Sequence, residues 1–368
     1  MILLLYTSLI KDTKTITIER PSLTKYAQLY SNYPQVLRCP CSNISINYHK
    51  FLQIKYRLHE VCTSTFISQD WFDYLHKPIE PIAHIYDFRT ISPSMFQALK
   101  LFCDVINQTI NDSLTQFYSN QYISASVIPQ VLFESEIKLL IDTFRSSLIS
   151  SFSLSLAMIR GTTQANGLLS GRLSNYNLMI ATDNIHVFAQ PVTYDCNCAY
   201  SSNCIFPSFF VNFLGKPSNR VPGFYSGCYY VEALLRSTLE YFYEQRFINN
   251  LTSYYEPSST INVTTLNTSL SKYSTNSTIK QLVDNLMIEE WNGTSFFEKY
   301  YNDCQPIQCT YTFETNHGLI YIFTTLFGIA GGLITVLELI VPRLVNIVMY
   351  CIRKRRARVA PNMSVVDT

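Results

Sequence analysis

The sequence predicts an α+β protein: a helix-rich, disulfide-bonded ectodomain with a few strands, followed by one C-terminal transmembrane helix. Three observations carry that expectation. Nineteen uncharged residues, LIYIFTTLFGIAGGLITVL, occupy 319–337. Ten of the eleven cysteines precede this run and one follows it. Ahead of the run, apolar residues recur mostly at helical spacing, with period-2 alternation confined to short stretches.

The membrane segment comes first because it orients everything else. About 20 apolar residues span a ~30 Å hydrocarbon core, and continuing from Leu337 to Val341 adds only Glu338. A buried core helix is the alternative; a basic cluster just beyond the run argues against it. Tyr321 falls where an outer aromatic belt belongs, and Glu338 falls at the inner interface. Pro342 is expected to break the helix, with Arg343 among the headgroups. The membrane helix is therefore placed at 318–342, with a cytosolic juxtamembrane segment and basic tail at 343–368. Residues 344–352 are apolar again, as a tilted continuation or an interfacial helix.

The RKRRAR tail (353–358) puts the C-terminus inside, since basic residues beside a membrane segment stay cytosolic. Residues 13–316 then form an extracellular or lumenal cysteine-rich domain, at the plasma membrane or an endomembrane. Cys351, next to the basic run, is a lipidation candidate by palmitoylation; an unmodified thiol is the alternative. Gly328 and Gly332 form G-x-x-x-G, which lets a second helix approach closely. That makes a homo-oligomer through the membrane helix an expected partner besides the lipid bilayer, although glycine is common in membrane helices generally.

The apolar start, residues 1–12, admits three readings. MILLLYTSLI is a weak signal peptide without a basic n-region, or the outer end of a first membrane helix, which is the favoured reading, or the start of a tail-anchored chain, which conflicts with the basic tail.

Composition agrees with an exported domain. Charged residues make up 15% and hydrophobic ones 47%, where about 25% charged is usual for soluble domains. The net charge is +2, and five of the cations lie in 353–358, so the rest of the chain is formally −3. No nucleic-acid partner is expected from that distribution. Cys39, Cys41, Cys62, Cys103, Cys196, Cys198, Cys204, Cys228, Cys304 and Cys309 all precede the helix, an even number that suits up to five bridges in an oxidising compartment. The two C-x-C pairs are expected to bond elsewhere, because so short a loop strains a bridge. Sequons stand at Asn43, Asn107, Asn111, Asn250, Asn262, Asn267, Asn276 and Asn292, all on the predicted outer side, and at Asn362 on the cytosolic side. Four lie in 250–276, a Ser/Thr/Asn-rich stretch that reads as an exposed loop.

Along the ectodomain, KTITIE (14–19) alternates as a strand, and 39–62 reads as a cysteine-rich turn region. Ser68–His76 suits a short helix capped by Ser68 or Asp70. Pro93–Tyr118 has helical spacing, with Phe96, Leu99, Phe102, Val105, Ile106 and Ile110 on one face. Phe133–Ile159 is a long helical pattern with Leu139, Leu140, Phe144, Leu148 and Phe152. Its charges (Glu134, Glu136, Lys138, Asp142, Arg145) favour a core helix over a second membrane pass. Residues 161–177 read as a loop, 185–192 as a strand and 196–228 as loop-rich. Helices are expected over 229–247 and 278–290, and a second strand over 309–314. Strands near the two ends of the ectodomain could pair and bring its termini together above the membrane.

Chemistry-bearing motifs are missing. There is no G-x-S-x-G, H-E-x-x-H, P-loop or G-x-G-x-x-G. Ser135–Lys138 and Ser269–Lys272 match S-x-x-K without its companion motifs. Cys39, Cys41, His49, His59 and Cys62 do not have standard zinc spacing. No enzymatic activity, metal or cofactor is expected.

Two resemblances follow from longer stretches. YPQVLRCPCSNISINYHKFL (33–52), VPGFYSGCYYVEALLRSTLEYFY (221–243) and YYNDCQPIQCTYTFETNHGLIYIFTTLFGIAGGL (300–333) resemble a large group of uncharacterised invertebrate membrane proteins. In that group the positions matching Tyr241 and Phe247 are often both cysteine, which implies one lost disulfide here. The layout also resembles the degenerin/epithelial sodium channel family: KTITIE (14–19), YPQVLRC (33–39), CTYTFE (309–314) and, within the helix, Thr335, Leu337 and Glu338 sit where that family has matching features. The resemblance implies two membrane helices, cytosolic termini and a cysteine-rich ectodomain. The family's Gly-x-Ser filter would fall on Ala330–Gly332, where there is no serine. The expected function is a cell-surface membrane glycoprotein with an extracellular interaction or sensing role and an unknown extracellular partner. The alternative is an ion-channel subunit of degenerin-like layout.

Overall fold

A computed structural model of the 368-residue chain describes residues 11–77, 87–171, 173–181, 186–192, 197–212, 214, 216–255, 261–316 and 319–357. The apolar start of the chain, Cys196, Asn362 and the last residues of the tail lie outside them.

Strand β1 (Lys11–Glu19) is followed by helix α1 (Leu23–Asn32), β2 (Ser45–Asn47) and β3 (Leu52–Leu58). Next come α2 (Gln69–Leu75), α3 (Phe88–Ser119), β4 (Gln121–Ile123) and α4 (Gln130–Asn166). Two hairpins follow, β5 (Leu169–Ser170) with β6 (Leu173–Ser174) and β7 (Tyr176–Ile180) with β8 (Val187–Pro191). A third pairs β9 (Ile205–Val211) with β10 (Pro217–Gly227). Helices α5 (Tyr230–Arg236), α6 (Gln245–Thr252) and α7 (Ile279–Val283) lead to β11 (Ile288–Ser295), α8 (Phe297–Cys304), β12 (Gln308–Asn316) and α9 (Leu319–Ala357). The mixture of helix and strand agrees with an α+β class.

The chain forms two compact units. The first comprises residues 1–42, 125–127 and 305–368; the second comprises 43–124 and 128–304. In the first unit, β1 and β12 pair antiparallel over nine residues, from Lys11↔Asn316 to Glu19↔Gln308. The strands expected over 14–19 and 309–314 thus pair with each other, as two strands near the ends of this region could. The other edge of β12 is also occupied: Arg38 and Thr310 exchange both backbone bonds at 2.8 Å, and Ile307 N donates to Pro40 O. Residues 125–127 extend the sheet, with Cys41 N donating to Ala125 O and Val127 N to Cys39 O. β12 is thus paired with β1 along its whole length and contacted on its other edge at its start, at Thr310. Helix α1 is capped by Ser22, whose hydroxyl accepts from Lys25 N. It buries Tyr26 and Leu29, one turn apart, and just past its end Tyr33 stacks on Tyr311 of β12 at 4.2 Å.

The second unit is built around α3 and two aromatic clusters. Phe66, Trp71, Phe96 and Phe242 meet edge-to-face at 4.7–5.5 Å. Phe51, Phe133 and Tyr300 form the other, with Phe133 and Tyr300 stacked at 4.5 Å. Such pairs add about 0.5–1.5 kcal/mol each beyond area burial, and most of these rings are fully buried.

Several boundaries depart from the sequence reading, each for an identifiable reason. Helix α3 starts at Phe88 rather than Pro93, because Asp87 caps it through Arg89 N (2.8 Å) and Phe88 and Ile91 are buried. Its buried face omits Val105, which is 42% exposed. Helix α4 runs to Asn166: Gly161 does not stop it, whereas Gly167, at φ +60°, does. Its inward row is Phe133, Ile137, Ile141 and Leu148, and Leu139 lies on the outer side.

Within the stretch expected to be loop-rich, β9 and β10 form a hairpin. Its prolines are accommodated by register shifts between Pro217, Arg220 and Tyr225. The helix expected over 229–247 breaks at Ser237 into α5, a 3₁₀ turn and α6. Ser237 Oγ accepts from Tyr225 N and Thr238 N donates to Gly223 O, so β10 takes over the backbone there. The helix expected over 278–290 stops after α7, whose capping box is formed by Thr278 and Gln281. Leu286 and Met287 then take left-handed φ, and β11 pairs with β3, itself unforeseen within 39–62. Pro342 does not break α9. It forfeits the bond to one carbonyl, that of Glu338, and the apolar turns on both sides continue through it to Ala357.

Candidate functional site

Two places gather the chain's informative residues: the sheet just ahead of α9, and the long-helix side of the second unit.

In the first unit, β12 ends at Asn316 and α9 begins at Leu319. At 1.5 Å per residue, the 39 residues of α9 extend about 58 Å, long and apolar enough to cross a membrane. None of its apolar stretch is covered by the rest of the chain, which is the expected state of a helix whose solvent is lipid. Gly328 and Gly332 are exposed, with nothing within 4 Å of an added Cβ. The register Lys11↔Asn316 brings the start of β1 beside the last turn of chain before α9.

Among the described residues, the cysteines ahead of α9 are disulfide-bonded and Cys351 is not. Cys39 bonds Cys309, Cys62 bonds Cys103 and Cys198 bonds Cys228. Cys41, Cys204 and Cys304 are also disulfide-bonded, whereas Cys351, in the C-terminal part of α9, is free and exposed. Cys39, Cys41 and Cys62 therefore offer no thiolate to a metal. An apolar helix that could cross a membrane, joined to a disulfide-bonded domain, fits an extracellular or lumenal placement of that domain.

All eight sequon asparagines ahead of α9 are exposed. Asn107 and Asn111, one turn apart on α3, both accept from the Tyr56 hydroxyl at 2.8 Å. Asn250 donates to the Tyr241 hydroxyl. Tyr241 and Phe247 stack at 5.0 Å, so the two positions paired by the resemblance are neighbours.

The second unit holds two features that sequence reasoning missed. The first is a buried polar centre. His59 (1% exposed) faces Glu289 at 3.8 Å, and its Nε2 meets the Tyr243 hydroxyl at 3.1 Å. Val61 N donates to Nδ1, which fixes that nitrogen as an acceptor and places the proton on Nε2. Burial lowers the His59 pKa, outweighing the raising effect of Glu289 and Glu60. Glu289 accepts from Ser271 Oγ and Lys272 N, and the Tyr243 and Tyr273 phenols are pushed up to about 12 by burial and by Glu289. The centre assembles from positions 59, 243, 271 and 289, a spread with no local spacing signal.

The second is a cleft of about 800 Å³ along α3 and α4. Phe144, Leu148 and Phe152 of α4 line it at i, i+4, i+8, opposite Leu101 and Val105 of α3. At one end Arg160 donates two bonds to Glu232, both at 2.6 Å. The apolar row was legible; that Phe144 and Phe152 border a cleft was not, since periodicity does not distinguish a core from a cleft. Set against known proteins, the chain matches no family model, no curated protein and no solved structure.

Proposed function

We propose that the chain is a cell-surface membrane glycoprotein whose ectodomain binds or senses an extracellular partner without catalysing a reaction, and that the β1–β12 ladder couples the ectodomain to the membrane. What supports the reading is that β12, which ends at Asn316, is paired with β1 along its length and cross-linked by Cys39–Cys309, and that α9 begins at Leu319. A displacement of that sheet acts close in sequence to the helix that enters the bilayer. The exposed sequons and the division of bonded from free cysteines support the sidedness.

Sidedness is tested in cells expressing the tagged chain. A glycosidase-sensitive mobility shift, and Cys351 labelling by an impermeant maleimide only after permeabilisation, are expected. Labelling of Cys351 on intact cells would refute the orientation.

A second reading, an ion-channel subunit of degenerin-like layout, is favoured by one observation: the apolar residues 1–10 lead into β1 at the register position beside Asn316. An in-frame apolar stretch of about 20 residues upstream of Met1 in the transcript, together with currents from the extended chain, would support it. A stop codon directly upstream and silent membranes would remove it.

A further inference from the structure

We propose that residues 267–272 form an acid-released strap on the second unit: protonation of His59 frees them from Glu60 and Glu289, the two carboxylates that hold them. Glu60 Oε2 accepts from Asn267 N at 2.6 Å. Glu289 accepts from Ser271 Oγ at 2.6 Å and from Lys272 N at 2.8 Å. Among the described residues, 267–272 make no other hydrogen bond outside the segment 267–273; the rest, such as Ser269 N to Asn267 Oδ1, are internal. Both carboxylates lie at His59. Glu60 is the next residue in the chain, and Glu289 Oε1 is 3.8 Å from His59 Nε2. One imidazole therefore adjoins both fastenings.

The imidazole is built into the fold as a neutral group. His59 caps a 3₁₀ turn, Glu60–Thr63, with Nδ1 accepting from Val61 N at 3.2 Å. A proton on Nδ1 turns that acceptor into a donor and sets N–H against N–H. A ring flip does not relieve this, since a carbon then faces Val61 N. The turn has to move, and it carries Glu60 away from Asn267 N. On the other side the imidazolium attracts Glu289, which leaves Ser271 and Lys272 N to close the 3.8 Å gap. The charged and titratable groups facing His59 are Glu60 of its own turn, Arg57 of β3, Glu289 of β11, Tyr243 beyond α5 and Tyr273 at the end of the strap. Arg57 is taken up by Glu290. Leu266 N stays on Phe242 O and the Tyr273 hydroxyl on Ile288 O, so release is confined to the residues between them. Burial opposes the charge, so release falls below about 6.5, the ordinary histidine value. The device does not depend on whether the chain conducts ions.

The test is hydrogen exchange read by mass spectrometry on the full chain in phosphatidylcholine nanodiscs, at about pH 7.5 and about pH 5, with times scaled for the intrinsic exchange rate. Peptides covering 267–272 are expected to exchange at least about tenfold faster at the lower pH, with β3 and β11 unchanged. His59→Asn places an oxygen where Nδ1 accepts from Val61 N and takes up no proton, so the strap should stay protected at both values. Ser271→Ala removes one fastening and should move the midpoint of release up toward about 6.5, so the result does not hang on one variant's folding. Equal protection of 267–272 at both pH values would overturn the proposal, as would a midpoint unmoved by Ser271→Ala. Acceleration that persists in His59→Asn would assign the release to the carboxylates themselves. Acceleration shared by β3 and β11 would make it acid unfolding of the whole unit. Either result also overturns the proposal.

Discussion

Asp87→Ala should be among the most damaging single changes in the second unit. The Asp87 side chain is 1% exposed and accepts four bonds: from Arg89 N (2.8 Å), Arg89 Nε (3.0 Å), Arg89 Nη2 (2.6 Å) and Val211 N (3.1 Å). Arg89 Nη2 in turn donates to Val211 O at 2.7 Å. The pair thus grips both backbone groups of one β9 residue while capping α3, and the attached carboxylate holds the guanidinium above its ordinary pKa. Alanine removes the cap and strands a guanidinium that is only 18% exposed. Breaking a buried ion pair in this way costs about 3–5 kcal/mol. At about 2–4 °C per kcal/mol for a unit of this size, melting should fall by about 6–20 °C. Intrinsic-fluorescence melting of the full chain in nanodiscs reads it. Asp87→Asn, which retains a cap and an acceptor, should lose less. Replacing Asp87 and Arg89 together by apolar residues should cost less than the two single changes summed. A melting point for Asp87→Ala within about 2 °C of the parent, equivalent to under ~1 kcal/mol, would show that the clamp does not hold the fold.

Two further outcomes follow from single sites. His59 is buried with a lowered pKa, so its neutral form stabilises the fold above about 6.5, the ordinary value, and that stability is lost as pH falls from there through the folded value. The charged and titratable groups around it are Glu289, Glu60, Arg57, Tyr243 and Tyr273. His59→Gln should flatten the acid limb of melting temperature against pH, and an unchanged limb would assign it to other groups. Gly223 has φ +71°, and a Cβ there would collide with Thr238 Oγ1, so Gly223→Ala should cost at least about 2 kcal/mol through left-handed strain and overlap; a melting point like the parent's would contradict that.

Elements whose evidence is local were readable from the chain alone. The nineteen uncharged residues beside a basic tail gave α9, the alternation in KTITIE and CTYTFE gave β1 and β12, and Ser68 marked the start of α2. The placement of ten cysteines and eight sequons ahead of the apolar run is equally a property of order along the chain. What the sequence did not contain in local form, only the tertiary structure decided. β3 and β11 are strands because each supplies the other's hydrogen bonds across more than 200 residues, and neither has a period that outweighs turn or helix signals nearby. The helix from Tyr229 ends at Ser237 because β10 competes for its backbone. The centre at His59 and the cleft along α4 arise where distant elements meet or fail to meet. Periodicity fixes which face of a helix is apolar, but only packing determines whether that face is covered.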